Sequence, residues 1–134
     1  MTDKTPIISF SNADIINGEA TVIYGFNMDV YPGDFVYIVG KVGTGKTSII
    51  RTIIAENPLG KGSATACGYD LKGIKEKDIP YLRRKMGVVF QDFQLLTDRN
   101  VFLNLYDVMR ATGWKSEEDI RRRISEVLEL VGLE

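Results

Sequence analysis

The 134-residue sequence contains no histidine, one cysteine and one tryptophan. Without histidine, no step that needs an imidazole can be filled from within the chain. The lone cysteine, Cys67, excludes an internal disulfide and suits a reducing compartment. No motif surrounds it, so it reads as a small packed residue rather than a reactive thiol. No apolar run approaches the roughly 18 residues of a membrane span, and the first residues, Met1 to Pro6, lack the basic-then-apolar pattern of a secretory leader. The expectation is a cytoplasmic protein that reaches a membrane only through a partner. Excess charge is missing too: 17 Lys and Arg against 18 Asp and Glu leave a net charge of -1. That balance gives no electrostatic case for nucleic acid as partner. Hydrophobic content of 44% and charged content of 26% exclude disorder, and the length is that of one domain.

What the chain does carry is a complete phosphate-binding loop, Gly40-Lys41-Val42-Gly43-Thr44-Gly45-Lys46-Thr47. An apolar, strand-like run, Phe35 to Val39, leads into it, and a helix-like run, Thr47 to Ile54, leaves it. Strand, GxxxxGK[ST] and helix in that order aim backbone N–H groups and a helix N-terminus at one anion. The glycines let the backbone curl around phosphate, and Lys46 reaches the terminal phosphates as a point charge. The Thr47 hydroxyl suits Mg²⁺, and Ser48 can hydrogen-bond an inner phosphate. The expected ligand is a nucleoside triphosphate, with ATP and Mg²⁺ as cofactors.

Around the loop, Ile7 to Phe10 reads as a short strand, Asn17-Gly18 as a hairpin turn, and Ala20 to Val30 as a strand. Val22, Tyr24, Phe26, Met28 and Val30 share one face of that strand at period two. Ser63 to Cys67 is a weak strand ahead of a turn at Gly68-Tyr69-Asp70, and Asp78-Ile79-Pro80 starts a helix that Gly87 ends. Val88-Val89-Phe90 reads as a buried strand. Beyond it the pattern is helical, over Asn100 to Met109 and Ser116 to Val131. Ser116 with Asp119 forms a capping box, an apolar stripe runs from Ile120 to Val131, and Gly132 is a C-cap. Arg121-Arg122-Arg123 reads as a solvated helix face.

A second constellation is Gly87-Val88-Val89-Phe90-Gln91-Asp92-Phe93-Gln94-Leu95-Leu96. Asp92 mimics a Mg²⁺-holding acid at a strand end, but Gln91 occupies the position directly after the strand. With the P-loop and its following Ser48, the stretch LRRKMGVVFQDFQLL, continued by Asp98-Arg99, Val101 and Asn104-Leu105, resembles the nucleotide-binding domain of ABC transporters. Within those it resembles the FtsE-type cell-division ATPases. The resemblance implies an α/β P-loop fold, with an N-terminal antiparallel β subdomain and P-loop core over residues 1–94 and the beginning of a helical subdomain over 95–134. It implies that Gln91 contacts Mg²⁺ and the attacking water, and that Phe93, Leu95 and Leu96 meet a membrane subunit. That partner would be FtsX-like, in a complex that controls cell-wall hydrolysis, with two nucleotide-binding domains paired as a homodimer. The protein would sit peripherally on the inner face of the plasma membrane.

Two other readings stay open: a lipoprotein- or macrolide-type exporter subunit, and a nucleotide-binding fragment without catalysis. The family pattern continues into an LSGGQ signature, a Mg²⁺-binding aspartate with a catalytic glutamate, and a switch histidine. None of these occurs before Glu134, so the expectation is an incomplete domain, inactive in hydrolysis by itself. The family also favours an aromatic at the adenine-stacking position. Ile16 stands there, with Tyr24 as a distant substitute, and weak discrimination among bases is expected.

Overall fold

Ile8–Asn17 and Ala20–Val30 pair antiparallel as β1 and β2, joined across Asn17 and Ala20 by the two-residue loop Gly18-Glu19. The computed structural model describes residues 5–41, 43–89 and 95–133. β1 is far longer than the sequence pattern predicts, because a bulge carries it through the polar stretch after Phe10. There Ser11 and Asn12 oppose the single residue Asn27, and the Asn12 N–H donates to Asn27 Oδ1 at 2.9 Å. A second irregularity sets Tyr24 and Gly25 opposite Asp14, whose Oδ1 accepts from the Gly25 N–H at 3.1 Å. The extra residue reverses the pleat, so Tyr24 is exposed while Ile23 packs against the core. The predicted single face from Val22 to Val30 is broken for that reason.

β3 (Ser63–Ala66) pairs with the other edge of β1, and β4 (Tyr69–Asp70) with β3, giving the antiparallel order β2-β1-β3-β4. The turn falls at Cys67-Gly68, both at positive φ, so Tyr69-Asp70 is strand rather than the predicted turn. Helix α1 (Lys46–Ile53) lays Ile49 and Ile53 on this sheet, against Phe10, Ala13, Ile15, Ala64 and Ala66. Removing side chains of this kind from water contributes roughly 1.5–3 kcal/mol each. Helix α2 (Ile79–Arg84) has Pro80 in its first turn, buries Leu82 in the same core, and is tied to α1 by Arg83 Nε donating to the Ile54 carbonyl at 2.9 Å.

Two predicted strands are not strands among the described residues. Phe35 to Val39 is irregular and mostly exposed, and so are Val88 and Val89; Phe90 lies outside the described residues. Neither run has a place in the sheet, and a strand's backbone groups need a ladder partner.

The chain divides into two compact units, Met1–Gly87 and Val88–Glu134. The second contains α3 (Val101–Ala111) and α4 (Glu117–Leu130). Asn100 caps α3 by accepting from the Leu103 N–H at 2.8 Å, and Ser116 caps α4 by accepting from the Asp119 N–H at 3.3 Å. Glu117, Glu118 and Asp119 load the positive end of α4. At its other end the Gly132 N–H donates to the Glu129 carbonyl and the Leu133 N–H to the Leu128 carbonyl, a Schellman motif. Ile120 and Ile124 are buried. Arg121, Arg122 and Arg123 pair with Glu117, Asp119 and Glu126 on the exposed face, where solvent screening leaves such contacts little weight in stability.

Candidate phosphate-binding site

The loop ahead of α1 turns sharply. The Thr44 N–H and hydroxyl both donate to the Lys41 carbonyl, at 3.2 and 2.6 Å, and the Lys46 ammonium donates to the Gly40 carbonyl. Gly45, the N-cap of α1, sits at φ 96°. A Cβ there would lie 3.1 Å from atoms of both Val22 and Ile23, so only glycine lets the loop seat against β2 in this backbone conformation. The hairpin therefore fixes where α1 begins.

No side chain caps α1. Its first-turn N–H groups have no intrahelical acceptor, and the helix dipole adds partial positive charge at the same point. Lys46 and Thr47 stand on that turn, Thr47 exposed, while Ser48 is buried with its carbonyl accepting from Thr52 Oγ1 at 2.7 Å. An uncapped helix start, a lysine and a hydroxyl form a donor set for a polyphosphate and its cation. Arg51 in the last turn complements the opposite pole.

Of the residues the sequence singles out, Gly40, Lys41, Gly43, Thr44, Gly45, Lys46, Thr47 and Ser48 are thus brought together on one loop and helix start. Val42, Gln91 and Phe93 lie outside the described residues. Leu95 and Leu96 are exposed in the second unit. Ile16 pairs with Thr21, and its carbonyl accepts from Asn57 Nδ2 at 3.1 Å.

The sequence reading gave no role to Gly62 or Asn104. Gly62 is at φ 89°, where a Cβ would lie 2.1 Å from the Asn12 carbonyl oxygen. Its only signal in the sequence is its place in Asn57-Pro58-Leu59-Gly60-Lys61-Gly62, a stretch rich in residues that break helices and strands. Asn104 carries no periodicity signal, and its bonds run to residues Leu96 to Asn100.

The ABC transporter family model matches residues 23–134. The chain belongs to the ABC transporter family. Among curated relatives, the cell division ATP-binding protein FtsE of Streptococcus pneumoniae is 45% identical over 84% of this chain and 49% of its own length. FtsE of Bacillus subtilis is 44% identical over 81% of this chain and 47% of its own. The methionine import ATP-binding protein MetN of Helicobacter pylori is 36% identical over 82% of this chain and 33% of its own. The chain spans about half the length of the FtsE relatives it matches. A dimeric ATP-binding cassette solved in a post-hydrolysis state with ADP and phosphate superposes with a TM-score of 0.79 at 25% identity, covering 95% of this chain and 58% of that one.

For an ABC protein the antiparallel sheet and helices seen here are the expected N-terminal architecture. Among the described residues no helix is long and apolar enough to cross a membrane.

Proposed function

We propose that this chain is the phosphate-binding part of an ATP-driven ABC subunit that acts in cell division through a membrane partner. The observation that carries the reading is the uncapped start of α1, with Lys46 and Thr47 on its first turn and Gly45 seated on β2. The likeness to FtsE of two organisms at 44–45% identity supports the division role.

The chain's own residues bind and orient. The loop backbone from Gly40 to Gly45 and the first-turn N–H groups of α1 take the phosphates, and Val42 completes the loop. Lys46 turns from the Gly40 carbonyl to the terminal phosphates. Thr47 offers its hydroxyl to Mg²⁺, Ser48 takes an inner phosphate, and Gln91 contacts the metal and water. When bound, ATP·Mg²⁺ would supply the phosphoanhydride to be cleaved and the charge neutralisation that its cleavage requires. Two such subunits pair head to tail, and an FtsX-like membrane subunit meets Phe93, Leu95 and Leu96. The sequence to Glu134 holds no LSGGQ, no apolar strand ending in Asp-Glu and no histidine, so these residues alone bind ATP without turning it over.

The test is ATP affinity with Mg²⁺ present, measured by calorimetry on the chain and on Lys46→Ala. Removing one charge-assisted partner of phosphate is expected to weaken binding by about 10- to 100-fold. Phosphate release from either form should stay at background. Equal ATP affinity in the two forms would remove the basis of the reading.

A further inference from the structure

One side-chain amide in the second unit holds a short segment at both its donor and its acceptor. Asn104 Oδ1 accepts from the Leu96 N–H at 2.9 Å. Its Nδ2 lies 3.1 Å from the Leu96 carbonyl oxygen, 3.2 Å from that of Arg99 and 2.9 Å from that of Asn100. Two N–H hydrogens thus serve three carbonyls, and Leu96 has both backbone groups fixed by one residue. The segment is closed on itself by the Arg99 N–H donating to the Leu96 carbonyl at 3.3 Å. It is held from outside by the Arg99–Asp107 ion pair at 3.0 Å.

Capping of α3 does not require Asn104, because Asn100 already supplies the cap. What Asn104 adds is order in the segment before the helix. That segment carries Leu95 and Leu96, whose exposures are 64% and 51%. Polar contacts therefore fix the backbone while two large apolar side chains are turned to solvent. A docking residue on a disordered loop must lose conformational entropy at the moment of binding, whereas one on a fixed backbone has lost it already.

We propose that Asn104 is a positioning residue that pre-organises Leu95 and Leu96 for an apolar segment of the membrane subunit. The inference rests on the reading that these leucines meet that subunit. It adds the residue that makes them a preformed anchor.

The experiment uses the full-length protein and its membrane subunit held in lipid nanodiscs. Affinity is measured for the unaltered protein, Asn104→Ala, the pair Leu95→Ala with Leu96→Ala, and all three together. The leucine pair is expected to weaken docking by about thirtyfold or more, as anchors of this type do. Asn104→Ala is expected to weaken it by about tenfold, and by less than about twofold once both leucines are gone, since it acts only through them. ATP affinity at the P-loop should not move. In a parallel measurement, hydrogen exchange at the Leu96 amide should quicken by about five- to tenfold in Asn104→Ala. Asn104→Asp keeps an acceptor for that amide but sets a carboxylate oxygen against the carbonyls of Leu96, Arg99 and Asn100, so it should lose part of the protection as well.

Weak docking of the leucine variant beside normal docking of Asn104→Ala would overturn the role of Asn104 and leave the surface standing. Normal docking of the leucine variant would overturn both. An undiminished Asn104→Ala effect in the leucine-free background would mean that it acts through the fold at large, and would also sink the proposal. Should Asn104→Ala not accumulate as folded protein, Asn104→Asp carries the same comparison: unaltered docking overturns the role, and a loss confined to the leucine-bearing form supports it.

Discussion

β1 and the run Phe35 to Val39 contrast in composition and in outcome: the polar-interrupted segment lies inside a sheet, and the continuously apolar one is not a strand at all. In β1, Phe10 is 2% exposed, while Ala13 and Ile15 are fully buried; in the second run Phe35, Tyr37 and Val39 are 82%, 80% and 86% exposed. The more apolar of the two segments is the one left in water. β1 has a partner on each edge, β2 and β3, and α1 against its face. Among the described residues, Phe35 and Tyr37 have an edge-to-face contact with each other at 5.0 Å, and no ladder partner. β-Propensity describes how a side chain fits a pleated, half-buried surface, so it becomes a strand only where neighbours create that surface.

The contrast is broken most forcefully at Gly62. Here the chain passes so close to the β1 bulge that a methyl group would meet the Asn12 backbone at 2.1 Å, in a region of positive φ. Gly62→Ala must push β3 from β1 or straighten the bulge. The expected cost is about 4 kcal/mol or more, read from urea unfolding of the chain. A loss below about 1 kcal/mol would mean that β1 does not depend on its second neighbour.

Phenylalanine truncation in each segment sharpens the same contrast. Phe10 packs edge-to-face on Phe26 at 5.3 Å inside the core, so Phe10→Ala is expected to cost about 3–5 kcal/mol. Phe35→Ala should change stability by less than about 0.5 kcal/mol. Phe35→Lys should instead raise the concentration at which the chain aggregates, since it interrupts an exposed apolar ribbon. Equal costs for the two alanine variants would show that the Phe35 run is structured in solution after all.

How far the fold was legible follows from this. The start of the helix that leaves the P-loop and the caps at Ser116 and Gly132 are short-range chemistry, and they stand where the sequence puts them, whereas Asn100 read only as the start of a helical run and the structure adds its cap. Beyond Phe10, β1 was not legible, because Ser11, Asn12 and Asp14 break the apolar pattern. Their side chains and backbone are used to build bulges against β2. Tyr24 was assigned to the wrong face for the same reason: one extra residue opposite Asp14 inverts the alternation. The strands expected at Phe35 and Val88 failed in the opposite sense. Their local signal is strong, but no pairing segment is supplied among the described residues. Asn104 entered the sequence reading only as part of the resemblance, because a side chain that bonds four to eight residues back leaves no periodic trace.

The second unit offers a weaker version of the contrast, between polar contacts that hold a helix pair and the apolar burial that holds the sheet. Tyr106 on α3 donates its hydroxyl to Glu117 on α4 at 2.6 Å, and Arg121 adds a contact to the same carboxylate at 3.2 Å. The hydrogen bond from Tyr106, with help from Arg121, lowers the pKa of Glu117; the same bond to Glu117 raises that of Tyr106. A lowered carboxylate pKa contributes stability that is present above the ordinary glutamate value and lost as pH falls below it. A raised phenol pKa contributes stability that is present below the ordinary tyrosine value and lost as pH climbs above it. The α3–α4 pairing should therefore be firmest across the neutral range and weaken at both ends. Both groups are solvent-exposed, so the effect is the smallest predicted here and should fade in high salt. Following the urea-unfolding stability against pH in the chain and in Tyr106→Phe isolates it. The substitution removes the donor, so the unaltered chain should be the more stable at neutral pH, with the gap closing at acid and alkaline pH. Identical profiles would mean that the helices are held by Ile120 and Ile124 alone, as the sheet is held by its core.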